Sequence, residues 1–186
     1  MKVIVLTPPT PFPSEREMIK EIIEEGIYRL HLRRPDWSEG ETRAFLESFS
    51  ADQLSRIVLH DHHQLSEEYP IGGVHFNRRH PFVRHYHLPC SISCHTLEEV
   101  QIYKPQVNYL FLSPIFDSIS KEGYGSAFSL DELREAGDLI DQHVFALGGV
   151  SLDKLPLLRE LSFGGVALLG DFWQHAATSH YIRNYL

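Results

Sequence analysis

The sequence predicts an α/β fold, a single compact (β/α)8 barrel of the TIM type over residues 1–186, and three observations carry that expectation. Eight short apolar or β-branched runs recur along the chain. Segments of helical period separate most of them, the pattern of a parallel sheet covered by helices. No Gly/Ser linker or charge block interrupts the alternation, so no domain boundary is placed.

The runs are Val3–Leu6, Tyr28–Leu32, Ile57–Leu59, Val74–Phe76, Ile92–Ser93, Tyr109–Leu112, Val144–Leu147 and Val166–Leu169. Helices are expected over Glu15–Glu25, Thr42–Phe49, Leu97–Tyr103, Leu130–Ile140 and Leu152–Leu161. Eight repeats favour a closed barrel over an open sheet. At 186 residues the chain is shorter than most such barrels. The stretch between Ile57 and Val74 has room for about three helical turns at most, so one side should be trimmed. Ser14 with Glu17, Ser129 before Leu130, and Ser151 before Leu155 read as helix starts.

Composition narrows the function. A chain that is 42% hydrophobic and 23% charged can bury a core, and its formal charge of -8 disfavours nucleic acid and anionic membranes as partners. A small anionic substrate stays open, met by a few local donors. The N-terminal apolar run is too short for a signal peptide, and no run approaches the ~20 residues of a membrane span, so a cytoplasmic location is expected. Cys90 and Cys94 lack the partners of a zinc ribbon or redox pair and read as ordinary reduced residues. The sequence does not fix the oligomeric state and leaves a homo-oligomer open.

In such a barrel the chemistry sits at the C-terminal ends of the strands. That places Arg33 and Arg34, His60 and Asp61, Asn77 to His80, Ser93 to His95, and the loop Ser113 to Gly125 with Lys121 around one mouth. Gly148-Gly149 before Ser151, and Leu169-Gly170 after the last run, fit a backbone cradle for a phosphate group.

These pieces, in this order, resemble the thiamine phosphate synthase family. The matching residues are His31-Leu32-Arg33, Asp61, Gly73-Val74-His75-Phe76, Ser93-Cys94-His95, Ser113-Pro114-Ile115-Phe116 with Ser118 and Lys121, Ala146 to Val150, and Gly165-Val166-Ala167. The resemblance implies joining an aminopyrimidine pyrophosphate to a thiazole phosphate, with release of pyrophosphate. It implies Arg33, Ser93 and Lys121 as catalytic residues. It assigns substrate contacts to His31, Arg33, His60, Ser118, Lys121, Gly149, Leu169 and Gly170. It implies Mg2+ as cofactor, held at the positions of Asp61 and His80.

Five positions depart from the family pattern. The family's Gln is His31 here, its second cation is Pro35, its Asn is His60, its second metal carboxylate is His80, and its serine after the last strand is Gly170. Arg34 and Arg78 are candidates for the missing cation. Three readings stay open: a synthase, a thiazole tautomerase-like isomerase whose expected histidine is Pro114, and a non-catalytic thiazole phosphate binder. The histidines His31, His60, His80 and His95 beside Asp61 also leave a transition-metal site open.

Overall fold

A computed structural model describes residues 1–117, 127–175 and 179–186. Eight parallel strands close in sequence order into a barrel: β1 (Lys2–Leu6), β2 (Arg29–Leu32), β3 (Ile57–Leu59), β4 (Gly73–Phe76), β5 (Cys90–Cys94), β6 (Tyr109–Leu112), β7 (Val144–Leu147) and β8 (Gly165–Leu168). Closure is made by β1 against β8, where Lys2 to Val5 pair with Gly165 to Leu168. The expected barrel is therefore present, and β3, β6 and β7 have the expected limits.

The helices are α1 (Glu15–Glu24), α2 (Glu39–Leu46), α3 (Ala51–Leu54), α4 (Leu97–Tyr103), α5 (Leu130–Glu135), α6 (Leu155–Glu160) and α7 (Gly170–His175). Trimming falls where the short spacing demands it. Between β3 and β4 the only helical element is a five-residue 3-10 turn, His63–Glu67, and residues 77–89 between β4 and β5 contain none.

Period-2 alternation sorts each strand. Val3 and Val5, Leu30 and Leu32, Leu110 and Leu112, and Val166 and Leu168 point outward into the main core beneath the helices. Ile4, Leu6, Tyr109, Phe111, Phe145 and Ala167 point inward and form a second, smaller cluster inside the barrel. On the inward positions of β2, β4 and β5 the alternation delivers polar groups instead: His31, His75, Ser91 and Ser93, the first three wholly buried. Cys90 and Cys94 face the helix layer, and burial pushes the Cys94 thiol up to about 12, so the cysteines are packing residues.

Two of the expected helix starts differ. Ser14 has φ of 65°, and this left-handed geometry leaves its hydroxyl without a capping bond to α1. Ser151 directs its hydroxyl to the Asp153 carboxylate and caps nothing. Ser129 does form a reciprocal capping box, with Glu132. Ser38 with Glu41 and Ser50 with Gln53 form two more that start α2 and α3.

Candidate functional site

The C-terminal ends of the strands surround a cavity of about 440 Å³ lined by residues of β1 through β8 and their loops. A larger hollow of about 650 Å³ lies between α5 and α6 at the opposite ends of the strands, lined by residues such as Asp138, Asp141 and Ser162. Only the first gathers the residues expected to do chemistry.

One wall is built from backbone. Gly148 has φ of 94° and Gly149 φ of 61°, both in the region that favours glycine. A Cβ at Gly149 would lie 2.2 Å from the Asp117 carbonyl oxygen and 2.8 Å from the Phe116 Cβ, so the chain can pass only without a side chain. Leu169 and Gly170 line the facing edge, with Asp171 beside them. Among the described residues the N–H groups of Gly149 and Gly170 donate to no carbonyl, leaving both free for an anion. Asp171 is buried and accepts hydrogen bonds from the hydroxyls of Tyr181, at 3.0 Å, and Tyr185, which ties the C-terminal segment to this wall.

The opposite wall is built from side chains. Arg33, Asn77, Arg78 and Arg79 line it, with His60 and Ser93 at the floor. The Asn77 carboxamide oxygen accepts from the backbone N–H of Arg79 at 2.9 Å and of His80 at 3.3 Å, and the Asn77 and His80 backbones exchange hydrogen bonds at 2.9 and 3.0 Å. This turn aims both arginines at the mouth. Arg79 Nη2 donates to the two Asp61 oxygens at 3.1 and 3.4 Å, and His80 Nε2 donates to the same carboxylate at 2.9 Å. Burial, followed by the neighbouring Arg79 cation, lowers the Arg33 pKa, while Asp61 and Asp36 oppose the shift.

Beneath the floor runs a chain of hydrogen bonds. His60 Nε2 shares a bond of 2.9 Å with His31 Nδ1, and His31 Nε2 shares one of 2.7 Å with the Tyr109 hydroxyl. Ser91 is the register partner of Tyr109 on the neighbouring strand. Ser91 meets His75 Nδ1 at 2.8 Å, and His75 Nε2 meets the Ser93 hydroxyl, back at the cavity, at 2.8 Å. Burial holds all three histidines below their ordinary pKa, His75 at about 3; His75 adds to the shift of His31 and His60, and His63 and Arg33 add to that of His75, which favours neutral rings. The ring nitrogens of His31, His60 and His75 lie within 4.8 Å of one another, a spacing a metal could exploit. The His31–His60 bond and the bonds to Tyr109, Ser91 and Ser93 already engage both ring nitrogens of His31 and His75 and one of His60, and they read as a polar network in the barrel core.

Several expectations change here. His31 is fully buried and does not line the cavity, and its hydrogen bond to His60 is what connects it to a cavity-lining residue. Arg34, a candidate for the missing cation, is buried in an ion pair with Glu15 and stacks over Trp37, which removes it from the site. Arg78 does line the cavity, and Arg79, which the sequence did not single out, lies beside it. His80 and His95 stand apart: His95 donates from Nδ1 to the Ser113 carbonyl at 2.9 Å, so the four-histidine metal centre is not assembled. Ser118 and Lys121 lie outside the described residues.

The positions expected to hold Mg2+ do not suit it. Magnesium requires near-octahedral oxygen ligation. Here one carboxylate, Asp61, is bonded to Arg79 and His80, and an imidazole stands where a second carboxylate is needed. That donor set does not fit a hard divalent cation.

Residues 3–172 match the family model described as thiamine monophosphate synthase. The chain belongs to the thiamine monophosphate synthase family. Among curated relatives, the thiamine-phosphate synthases of Shigella dysenteriae and Escherichia coli K12 are each 24% identical, the alignments covering 91% of this chain and 89% of theirs. The crystal structure of thiamine phosphate pyrophosphorylase from Bacteroides thetaiotaomicron is 37% identical with a TM-score of 0.85, covering 100% of this chain and 92% of that one. The corresponding Pyrococcus furiosus structure, 17% identical with a TM-score of 0.75 over 99% of this chain and 94% of its own, shares the fold.

Proposed function

We propose that the chain is a thiamine phosphate synthase, joining a hydroxymethylpyrimidine pyrophosphate to a thiazole phosphate and releasing pyrophosphate. The observation that carries the reading is one cavity with two unlike anion-binding walls, in a chain of this family. The backbone wall at Gly149, Leu169 and Gly170 takes the thiazole phosphate through N–H groups. The guanidinium wall takes the pyrophosphate. Between them lies a floor of neutral polar groups, His60 and Ser93, suited to a flat heterocycle that carries ring nitrogens and an amino group.

In the reaction the bond from the pyrimidine methylene carbon to the pyrophosphate oxygen breaks and its electron pair leaves with pyrophosphate. The thiazole nitrogen lone pair forms the new C–N bond, and the positive charge moves to the thiazolium. Charge develops on the leaving group, so fixed cations at that wall stabilise the transition state more than the ground state. Arg33 supplies one, and Lys121 a second from the loop after β6. Ser93 and Ser118 supply hydroxyl donors near the reacting groups, and His31 acts by fixing the orientation of His60. One barrel domain, residues 1–186, would carry this chemistry in the cytoplasm.

The deciding experiment is thiamine phosphate formation from the two substrates, against an enzyme-free control, with thiazole phosphate binding measured in parallel. Product supports the synthase. Binding without product makes the chain a thiazole phosphate binder, and interconversion of thiazole tautomers without coupling makes it an isomerase.

A further inference from the structure

The guanidinium wall contains more cations than its neighbouring carboxylates can balance. Arg33, Arg78 and Arg79 line the cavity, against two nearby carboxylates: Asp61, already bonded by Arg79 and His80, and Asp36, which acts on Arg33. In a protein of net charge -8 such a local excess needs an anion to complete it. We propose that this arginine cluster takes the place of a protein-bound divalent cation, so that the chain binds pyrophosphate and assists its departure without requiring magnesium.

The proposal rests on the synthase reading and on three features of the wall. First, the Asn77 turn is a built device: two backbone N–H bonds to its side chain and two between its ends hold Arg78 and Arg79 at the mouth. Second, Asp61 is the carboxylate a metal would need, and its side chain is only 13% exposed with both oxygens facing Arg79. A metal there would have to break the ion pair and the His80 bond and still find further oxygens, which His80 cannot give. Third, the chemistry suits the ligand. Guanidinium groups are permanently charged planar forks that match phosphate oxygens two at a time, and several of them can neutralise a leaving pyrophosphate as a cation would. Asp61 then acts as a positioning residue, holding the Arg79 fork while leaving one of its edges for the ligand. The bond changes are those of the coupling reaction, with the departing electron pair on a pyrophosphate oxygen held by arginine N–H donors.

The test is calorimetric titration of inorganic pyrophosphate into the full-length chain, once in EDTA and once in excess magnesium. Binding is expected in EDTA, with Arg78→Gln and Arg79→Gln each weakening it ~10-fold or more, typical of a lost charge-assisted contact. Arg79→Lys, which keeps the charge but not the fork, should fall between. Both arginines are exposed at the mouth, and thermal unfolding of each variant checks that it folds. Binding seen only with magnesium, or undiminished in both glutamine variants, would overturn the proposal. Product formation measured in the same two buffers separates the readings. Turnover and binding that both require magnesium remove the arginine cluster and leave the synthase, whereas magnesium-free binding without turnover in either buffer removes the synthase and leaves the cluster.

Discussion

The two halves of the barrel interior follow opposite designs. From β6 through β8 to β1 the inward positions are Tyr109, Phe111, Phe145, Ala167, Ile4 and Leu6, a filling whose one polar group is the Tyr109 hydroxyl bonded to His31, and the mouth above them is shaped by glycine backbone. From β2 to β5 the inward-facing groups include His31, His75, Ser91 and Ser93, with His60 just beyond β3, and the mouth above them is shaped by arginine side chains. Four departures from the family pattern, His31, Pro35, His60 and His80, fall on the second half, and the fifth, Gly170, falls on the cradle, where it removes a hydroxyl but keeps the backbone N–H. A backbone-made cradle depends on conformation and tolerates little change. A side-chain wall can lose one charge and regain it from a neighbouring position, the role proposed above for Arg78 and Arg79.

The largest effect expected from breaking this contrast is at the charged wall. Arg33→Ala should lower kcat/KM for coupling by ~10²-fold or more, as for loss of a donor aimed at developing charge, and Lys121→Ala should do the same. Thiazole phosphate binding, assigned to the other wall, should change little. Steady-state kinetics beside thiazole phosphate titrations check both halves of the statement, and equal losses in both would mean that the walls do not act separately.

The second expected effect is on stability and belongs to the polar half of the core. His31 and His75 are held neutral in the fold, whereas in the unfolded chain each takes up a proton below its ordinary value of 6.5. Below pH 6.5 the unfolded state therefore binds more protons, and the stability fully present above that pH is lost as pH falls. Each ring contributes about 1.4 kcal/mol per pH unit, the loss from His75 continuing towards its folded value of about 3. Denaturant unfolding between pH 7.5 and 5 measures the slope. His75→Phe should flatten it by about one proton, and an unchanged slope would mean that the ring is accessible.

Legibility follows the same divide. Gly148-Gly149 could be read from sequence because a conformational need leaves a compositional trace, and β3, β6 and β7 because their apolar runs end abruptly. The Arg79–Asp61 pair left none: it exists because Asn77 folds a turn, and an Arg-Arg-His run has no spacing rule that announces it. His31 was legible as a strand residue but not as a buried one. Its partner Tyr109 begins another strand, and only period-2 alternation across β2 and β6 together would have paired them. Ser14 failed as a cap because the backbone there is left-handed, which the Ser-x-x-Glu pattern does not report.

The smallest expected effect tests the backbone half. Gly149→Ala must hold a left-handed residue, costing about 1–2 kcal/mol, and must also move the Asp117 carbonyl that its Cβ would meet at 2.2 Å. Because Asp117 begins the loop that carries Lys121, the substitution displaces the cradle and shifts that loop's anchor together. Thiazole phosphate binding should weaken while pyrophosphate binding at the arginine wall persists, a pattern opposite to that of Arg33→Ala. Should Gly149→Ala weaken both ligands equally, the loop after β6 couples the two walls, and the separation into a backbone half and a side-chain half holds for the resting cavity alone.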